Sequence, residues 1–301
     1  MVELKKRKIG VLMGGRSSEK EISIKSGMAV HAALIRRGYM SEQIEVDERL
    51  PEKLKEKGIE VAYIALHGRW GEDGTVQGLL EVMGIPYTGS GVLGSSISMD
   101  KAVMKMLLDA MKIPTPRYQI HKKGEILMDF SIPCVFKPAN EGSTIGVTIV
   151  RNLSEVEEAK QRAFMYDRKL IVEEYVEGDE ITVGIVNGRT LPAISIKPKK
   201  GFYDYEAKYT PGMTEYLIPA EIPEDVESKA CMMAKKIYEA FELSGCVRID
   251  MIVKGNTPYV IDVNTSPGMT ETSLVPKAWS YMGGTFEELV EEILKGASLK
   301  L

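Results

Sequence analysis

Arg248-Ile249-Asp250 and Asp262-Val263-Asn264-Thr265-Ser266-Pro267-Gly268, separated by Lys254-Gly255-Asn256-Thr257-Pro258, form the stretch whose reading decides the fold. Cys246 to Val253 and Tyr259 to Val263 are mostly apolar and β-branched, and turn formers lie between them, so the stretch reads as a β-hairpin. A loop symmetric about Asn256 sets Asp250 opposite Asp262. Strand alternation then gathers Arg248, Asp250, Asp262 and Asn264 on one face. Opposed carboxylates repel, and a cation between them removes the conflict. The set offers carboxylate and amide oxygens without Cys or His, which selects Mg2+ or Mn2+ over zinc or copper. The plain alternative is a solvated polar strand face.

Working outward, strand and helix alternate in the N-terminal third: strand Lys8 to Met13, helix Ser18 to Arg37, strand Val61 to Leu66, helix Val76 to Met83 and strand Ile85 to Tyr87. That order predicts α/β structure on a parallel sheet. A mixed α+β unit follows, with a helix from Met99 to Met111, strands Pro133 to Lys137 and Val147 to Val150, a helix near Ser154 to Met165 and a strand Leu170 to Glu174. Beyond it come strand Glu180 to Val186, the segment Thr190 to Lys197, an aperiodic aromatic-rich loop Pro198 to Tyr216, a helix Pro223 to Glu242, the hairpin and a closing helix Thr285 to Lys295. The loop reads as an Ω-loop able to close over a ligand.

With 301 residues the chain exceeds one ordinary core, and 44% hydrophobic and 27% charged residues are typical of a soluble globular protein. A net charge of -4 argues against a general nucleic-acid binder. The three cysteines, Cys134, Cys231 and Cys246, fit neither a disulfide framework nor a zinc pattern and read as buried thiols of a reducing cytosol. The apolar run Ile9 to Met13 is too short for a signal peptide, and no stretch is long enough to span a membrane, so a cytoplasmic location is expected.

Several glycine clusters compete as phosphate sites. Gly89-Ser90-Gly91-Val92-Leu93-Gly94 has the letters of a dinucleotide fingerprint, but Asp109 falls in a helix pattern, so the cluster reads as an interdomain turn. No P-loop or kinase triplet is present. Lys137-Pro138-Ala139-Asn140-Glu141-Gly142-Ser143-Thr144-Ile145-Gly146 is the better candidate, because a lysine ends a buried-type strand ahead of a loop rich in N–H and hydroxyl donors. A plain glycine-rich hairpin would look the same. His67 ends an apolar strand before a glycine-rich turn, where α/β sheets place ligand groups or keep a satisfied structural histidine. His31 sits in a helix pattern and His121 in an expected loop. Glu19 follows Ser18, which with Glu21 matches a capping box, and on the residues alone it is ordinary helix-dipole chemistry.

Taken in order, these segments resemble the ATP-grasp superfamily, and within it the D-alanine:D-alanine ligases. The resemblance rests on Gly14-Gly15-Arg16-Ser17-Ser18-Glu19 through Ser23, His67-Gly68-Arg69 with Gly71-Glu72-Asp73-Gly74-Thr75, Met99-Asp100-Lys101, Lys137-Pro138 with Glu141-Gly142-Ser143, and Glu173 with Gly178 and Glu180. It continues through Phe202-Tyr203-Asp204-Tyr205-Glu206-Ala207-Lys208-Tyr209, Arg248-Ile249-Asp250 and Asn264 to Thr270. It implies an ATP-grasp fold of three domains, 1–89 (N-terminal, substrate-binding), 90–175 (central) and 176–301 (C-terminal), with ATP clasped between the second and third. Two-step ligation is implied as well: ATP phosphorylates the carboxylate of one D-alanine, and the amine of a second attacks the acyl phosphate.

In such a site Asp250, Asp262 and Asn264 would hold two Mg2+ or Mn2+ ions, while Lys101, Lys137 and Lys208 face the phosphates. Glu173, Tyr175, Val176, Glu180, Phe202 and Ile252 would border the nucleotide. Glu19 would bind the ammonium of the first D-alanine and connect through Ser143 to Tyr209, with Arg248 and the Gly268 N–H stabilising the oxyanion. His67, Ser273 and Leu274 would receive the second substrate, and a homodimer is implied. Tyr209 favours the dipeptide, since related ligases that make D-alanyl-D-lactate tend to carry histidine in this loop. Three positions depart from the pattern: Asp262 stands where glutamate is usual, Trp70 replaces a small residue and is expected to narrow the second-substrate pocket, and Glu174 sits where lysine is common. A sister ligase would change Glu19, His67 or the Tyr209 loop, and a silent nucleotide-binding scaffold would lose metal ligands or the loop lysine.

Overall fold

The computed structural model describes residues 4–125, 130–142, 144–199, 210 and 212–300. Its first sheet is built from β1 (Lys8–Gly14), β2 (Met40–Val46) and β3 (Val61–Ile64), which run parallel in the order β2-β1-β3. Helices α1 (Lys20–Arg36), α2 (Leu50–Glu56) and α3 (Thr75–Met83) accompany them, as an α/β alternation requires. β2 and α2 are additions to the sequence expectation; β2 buries only Ile44 and Val46, too weak an alternation to announce a strand. The strand expected over Ile85 to Tyr87 reduces to single bridges, Tyr87 with Ala62 and with Ser298. α1 starts one residue later than the capping box needs: Glu19 is its N-cap, and no side chain caps it. Ser17 Oγ instead accepts the Glu19 N–H at 3.2 Å.

The middle of the chain gives α4 (Val92–Met99), α5 (Lys101–Ala110) and a four-stranded antiparallel sheet. Its strands β4 (Tyr118–Lys122), β5 (Cys134–Pro138), β6 (Thr148–Val150) and β7 (Lys169–Glu174) lie in the order β4-β7-β5-β6, with α6 (Val156–Phe164) against them. The helix expected over Met99 to Met111 is α5, and α4 precedes it as an addition; Asp100 turns the chain between them, and its carboxylate accepts the N–H groups of Ala102 and Val103 at 3.1 and 3.3 Å, capping α5. The cluster read as a turn at Gly89 to Gly94 passes into α4 from Gly91. His121 lies in β4 rather than in a loop and is a buried, structural histidine.

The third sheet runs β11-β10-β8-β12-β13, with β9 beside β8. It comprises β8 (Asp179–Val186), β9 (Arg189–Thr190), β10 (Ile194–Pro198), β11 (Thr214–Leu217), β12 (Cys246–Lys254) and β13 (Thr257–Asn264), with α7 (Glu224–Ala240), α8 (Leu274–Tyr281) and α9 (Phe286–Lys295). The hairpin turns on two residues, Gly255 and Asn256, between Lys254 and Thr257, and Gly255 takes φ 59°, a conformation glycine adopts freely. A bulge between Asp250 and Met251 then restores the expected pairs Asp250 with Asp262 and Arg248 with Asn264. The expected register thus arises from a tight turn plus one extra residue.

Packing explains the polarity of this hairpin. Val247, Ile249 and Met251 are buried with Val226, Ala230 and Ile237 of α7 and Met104 and Leu108 of α5. Alternation leaves Arg248 and Asp250 on the other face. A second core joins Val30, Ala33 and Leu34 of α1 to Leu289, Val290 and Ile293 of α9, which brings the loop following β13 against the carboxyl ends of β1 and β3.

Candidate active site

Ser23 fixes the ends of the parallel strands by accepting the Gly14 N–H at 2.9 Å and donating to the Ala65 carbonyl at 2.8 Å. Beyond β3, His67 is buried with its Nδ1 2.8 Å from the Ser266 carbonyl and its Nε2 3.2 Å from Ser26 Oγ. A carbonyl only accepts, so Nδ1 carries the proton and Nε2 accepts from Ser26, whose Oγ in turn accepts the Met269 N–H at 3.2 Å. Burial holds the imidazole below its ordinary range, although Glu19 pulls the other way. A neutral histidine therefore welds the loop after β13 to α1 and β3.

Glu72 accepts the N–H groups of Gly68 at 2.6 Å and Ser266 at 3.2 Å. Burial first, then Glu19, pushes its carboxyl up to about 8. The folded protein thus keeps a proton on Glu72 that the unfolded chain releases near 4.5, so this residue's cost to stability appears above 4.5 and is complete only above about 8. Glu72→Gln removes that cost: the gain in melting temperature over the parent should widen from pH 6 to pH 9. A pH-independent difference would show that Glu72 is ionised throughout.

Glu19, His67, Glu72, Arg248, Gly268 and Ser273 line a cleft of about 300 Å3. A methyl group on Gly142 would stand 2.6 Å from Glu19 Oε2, so the glycine-rich loop reaches this carboxylate closely. Ser273 Oγ lies 2.8 Å from Thr270 Oγ1 and accepts the Thr270 N–H at 3.1 Å, shaping the Gly268 turn.

On the hairpin face, the Arg248 guanidinium grips Asp250 with two bonds of 2.8 and 2.9 Å, and Thr182 Oγ1 donates to the same carboxylate at 2.6 Å. Asp262 pairs with Lys101 at 3.1 Å. Burial acts to lower the Lys101 pKa, but Asp262, with Glu72 and Glu173, leaves it raised. Each of the two opposed carboxylates is therefore paired with a side-chain cation. No group of three or more His, Cys, Asp or Glu poised for a metal occurs among the described residues. Two carboxylates in direct register and an amide two residues on nevertheless make an all-oxygen donor set that fits Mg2+ or Mn2+.

A larger cavity of about 460 Å3 adjoins the cleft and is bordered by Lys137, Glu173, Tyr175, Val176, Glu180, Asp250 and Ile252. Lys101, Gly142 and Asp262 border both spaces. Deep in the wall, Glu173 is held by Lys137 at 2.5 Å and Lys105 at 2.7 Å, and these two ammonium groups keep its carboxyl low against the opposing effect of burial. One crevice thus joins an acid-and-amide pocket to a cavity edged with buried lysines, the layout needed to bring a phosphoanhydride against a carboxylate.

Comparison with known proteins agrees with this layout. The family described as D-ala D-ala ligase C-terminus matches residues 92–295, and D-ala D-ala ligase N-terminus matches residues 38–90. The chain belongs to the D-alanine:D-alanine ligase family. It is 49% identical to a D-alanine–D-alanine ligase of Syntrophotalea carbinolica, covering 99% of this chain and 98% of that protein, and 46% identical to one of Geotalea uraniireducens over the same shares. Among solved structures, the D-alanine–D-alanine ligase of Bacillus anthracis complexed with ATP superposes with a TM-score of 0.85 at 37% identity, covering 96% of this chain and 97% of that one. The expected ATP-grasp fold is the one observed.

Within this ligase framework, two departures find physical accounts. Trp70 is not among the residues lining the cleft; like Leu79 and Met83 it packs against the core that holds Leu12, Leu66 and Leu80, and it carries the Arg16 guanidinium 5.2 Å above its ring, so it does not narrow the described cleft. Glu174 pairs with Arg117 at 2.9 Å, a partner a lysine would repel. Ser143, Phe202, Lys208 and Tyr209 lie outside the described residues, as does the Ω-loop expectation apart from Pro198, Lys199, Thr210 and Gly212 onward, where β11 brings Tyr216 to the cleft. Glu72, Ser26 and Lys105 escaped a site assignment from sequence; only Glu72 carried a signal, lying inside the Gly71 to Thr75 motif.

Proposed function

We infer that this protein joins two D-alanine molecules into D-alanyl-D-alanine with ATP, releasing ADP and phosphate, in the supply of peptidoglycan precursor. The observation that carries the reading is the shared wall of Lys101, Gly142 and Asp262: a nucleotide in the larger cavity would present its terminal phosphate there to a carboxylate in the cleft. Glu19 would hold the ammonium of the first D-alanine, with Ser143 and Tyr209 completing that contact. Lys101 and Lys137 would meet the phosphates, joined by Lys208. Tyr175, Val176, Glu180, Phe202 and Ile252 would enclose the nucleoside, with Glu173 behind it.

Mg2+ ions held by Asp250, Asp262 and Asn264 would neutralise charge between the β- and γ-phosphates. Arg248 and the Gly268 N–H would stabilise the oxyanion when the second amine attacks, and His67, Ser273 and Leu274 would orient that substrate. Exclusion of water matters because an acyl phosphate hydrolyses. We further propose the three units 1–89, 90–175 and 176–301, supported by the three separate sheets. A cytoplasmic location accords with the absence, among the described residues, of any helix long and apolar enough to cross a membrane. A homodimer accords with Met28 and Ile35, exposed seven residues apart on α1.

The test is phosphate release from ATP and Mg2+ with D-alanine, L-alanine, or D-alanine plus D-lactate, with products identified by mass spectrometry. Release that requires D-alanine and yields the dipeptide is expected. Depsipeptide as the main product would move the protein to a sister activity, and no turnover would overturn the reading.

A further inference from the structure

Lys105 touches neither cavity, yet it is the most deeply buried charged side chain described, with no exposed surface. It projects from α5 one turn after Lys101 and reaches Glu173 Oε2 at 2.7 Å, Thr115 Oγ1 at 2.7 Å and the Pro116 carbonyl at 3.3 Å, with the Tyr118 ring 5.1 Å beneath it. The other oxygen of Glu173 is held by Lys137, which borders the larger cavity and whose ammonium lies 3.4 Å from the Ile261 carbonyl. Thr115 donates onward to the Val260 carbonyl at 2.8 Å. Two lysines therefore share one carboxylate, and both chains of contacts end on β13 beside the bulge that sets Asp262.

A buried cation in such a place is expensive unless it is needed. A Lys137–Glu173 pair alone would be neutral, and Glu173 would draw Lys137 back into the wall. Burial pushes the Lys105 ammonium down to about 8, so below that pH the cluster carries one net positive charge in a dry surround, where charges act strongly. We propose that Lys105 is a positioning residue for nucleotide binding: by sharing Glu173 it leaves Lys137 a cation available to polyphosphate, while its link through Thr115 steadies β13. This rests on the reading of the larger cavity as the ATP site.

The experiment measures KM for ATP and for D-alanine separately, with melting temperatures alongside. Lys105→Met should raise KM for ATP about tenfold and leave KM for D-alanine within about twofold, since only the nucleotide side loses charge. Lys105→Arg should keep KM for ATP near the parent value even if its bulk lowers the melting temperature. An unchanged KM for ATP in Lys105→Met, or equal losses toward both substrates, would overturn the proposal. Absence of saturable ATP dependence in the parent protein would instead overturn the ATP-site reading, so the two failures are distinguishable.

Discussion

Arg248→Ala should lower kcat by about two to three orders of magnitude, the scale on which loss of one oxyanion donor is felt. Two effects combine in this side chain. Arg248, like Gly268, lines the cleft, where, on the proposed function, negative charge would develop when an amine attacks an acyl group. It also neutralises Asp250, a buried carboxylate that takes a further side-chain hydrogen bond from Thr182. Stability should therefore fall along with rate, because removing one member of a buried pair leaves the other uncompensated. A lysine in its place would supply charge without the two-pronged geometry, so Arg248→Lys should remain strongly impaired in kcat while recovering much of the melting temperature. Steady-state kinetics beside thermal melts separate these effects; an alanine variant with parent kcat would remove Arg248 from the chemistry.

Asp262→Asn should reduce Mg2+-supported turnover at least about 100-fold, since a metal's charge at a transferring phosphate is worth several kcal/mol. The substitution removes one of two carboxylates in the donor set and frees Lys101 from its ion pair. Asp262→Glu keeps the carboxylate and lengthens the arm by one methylene, so activity should survive with an altered ratio of Mg2+ to Mn2+ activation. Titrating both metals against each variant reads this directly. Parent-like Mg2+ activation in Asp262→Asn would exclude Asp262 as a ligand.

Much of this was legible from the chain because strand alternation and turn chemistry are local. The Asp250–Asp262 register followed from counting across the hairpin, although the symmetric loop assumed for it is a two-residue turn compensated by a bulge. Bulges depend on tertiary packing, and two departures from ideal geometry cancelled. β2 was lost because its outer positions are polar, and the Ser18 capping box failed because α1 begins at Lys20. Lys105 has no motif signal, and the motif that holds His67 and Glu72 does not show their partners, for a different reason. Their chemistry comes from burial and from partners as distant in sequence as Ser266 and Glu173, which only the folded chain brings together.

The most direct test of the central claim uses D-alanine labelled with 18O in its carboxylate. If the shared wall of the two cavities brings that carboxylate to the terminal phosphate of ATP, one labelled oxygen passes into the bond with phosphorus. It then departs with phosphate when the second amine attacks. 31P NMR of the released phosphate should show one 18O per molecule, with the other label retained in the dipeptide carbonyl. Unlabelled phosphate formed together with dipeptide would contradict carboxylate phosphorylation at this site.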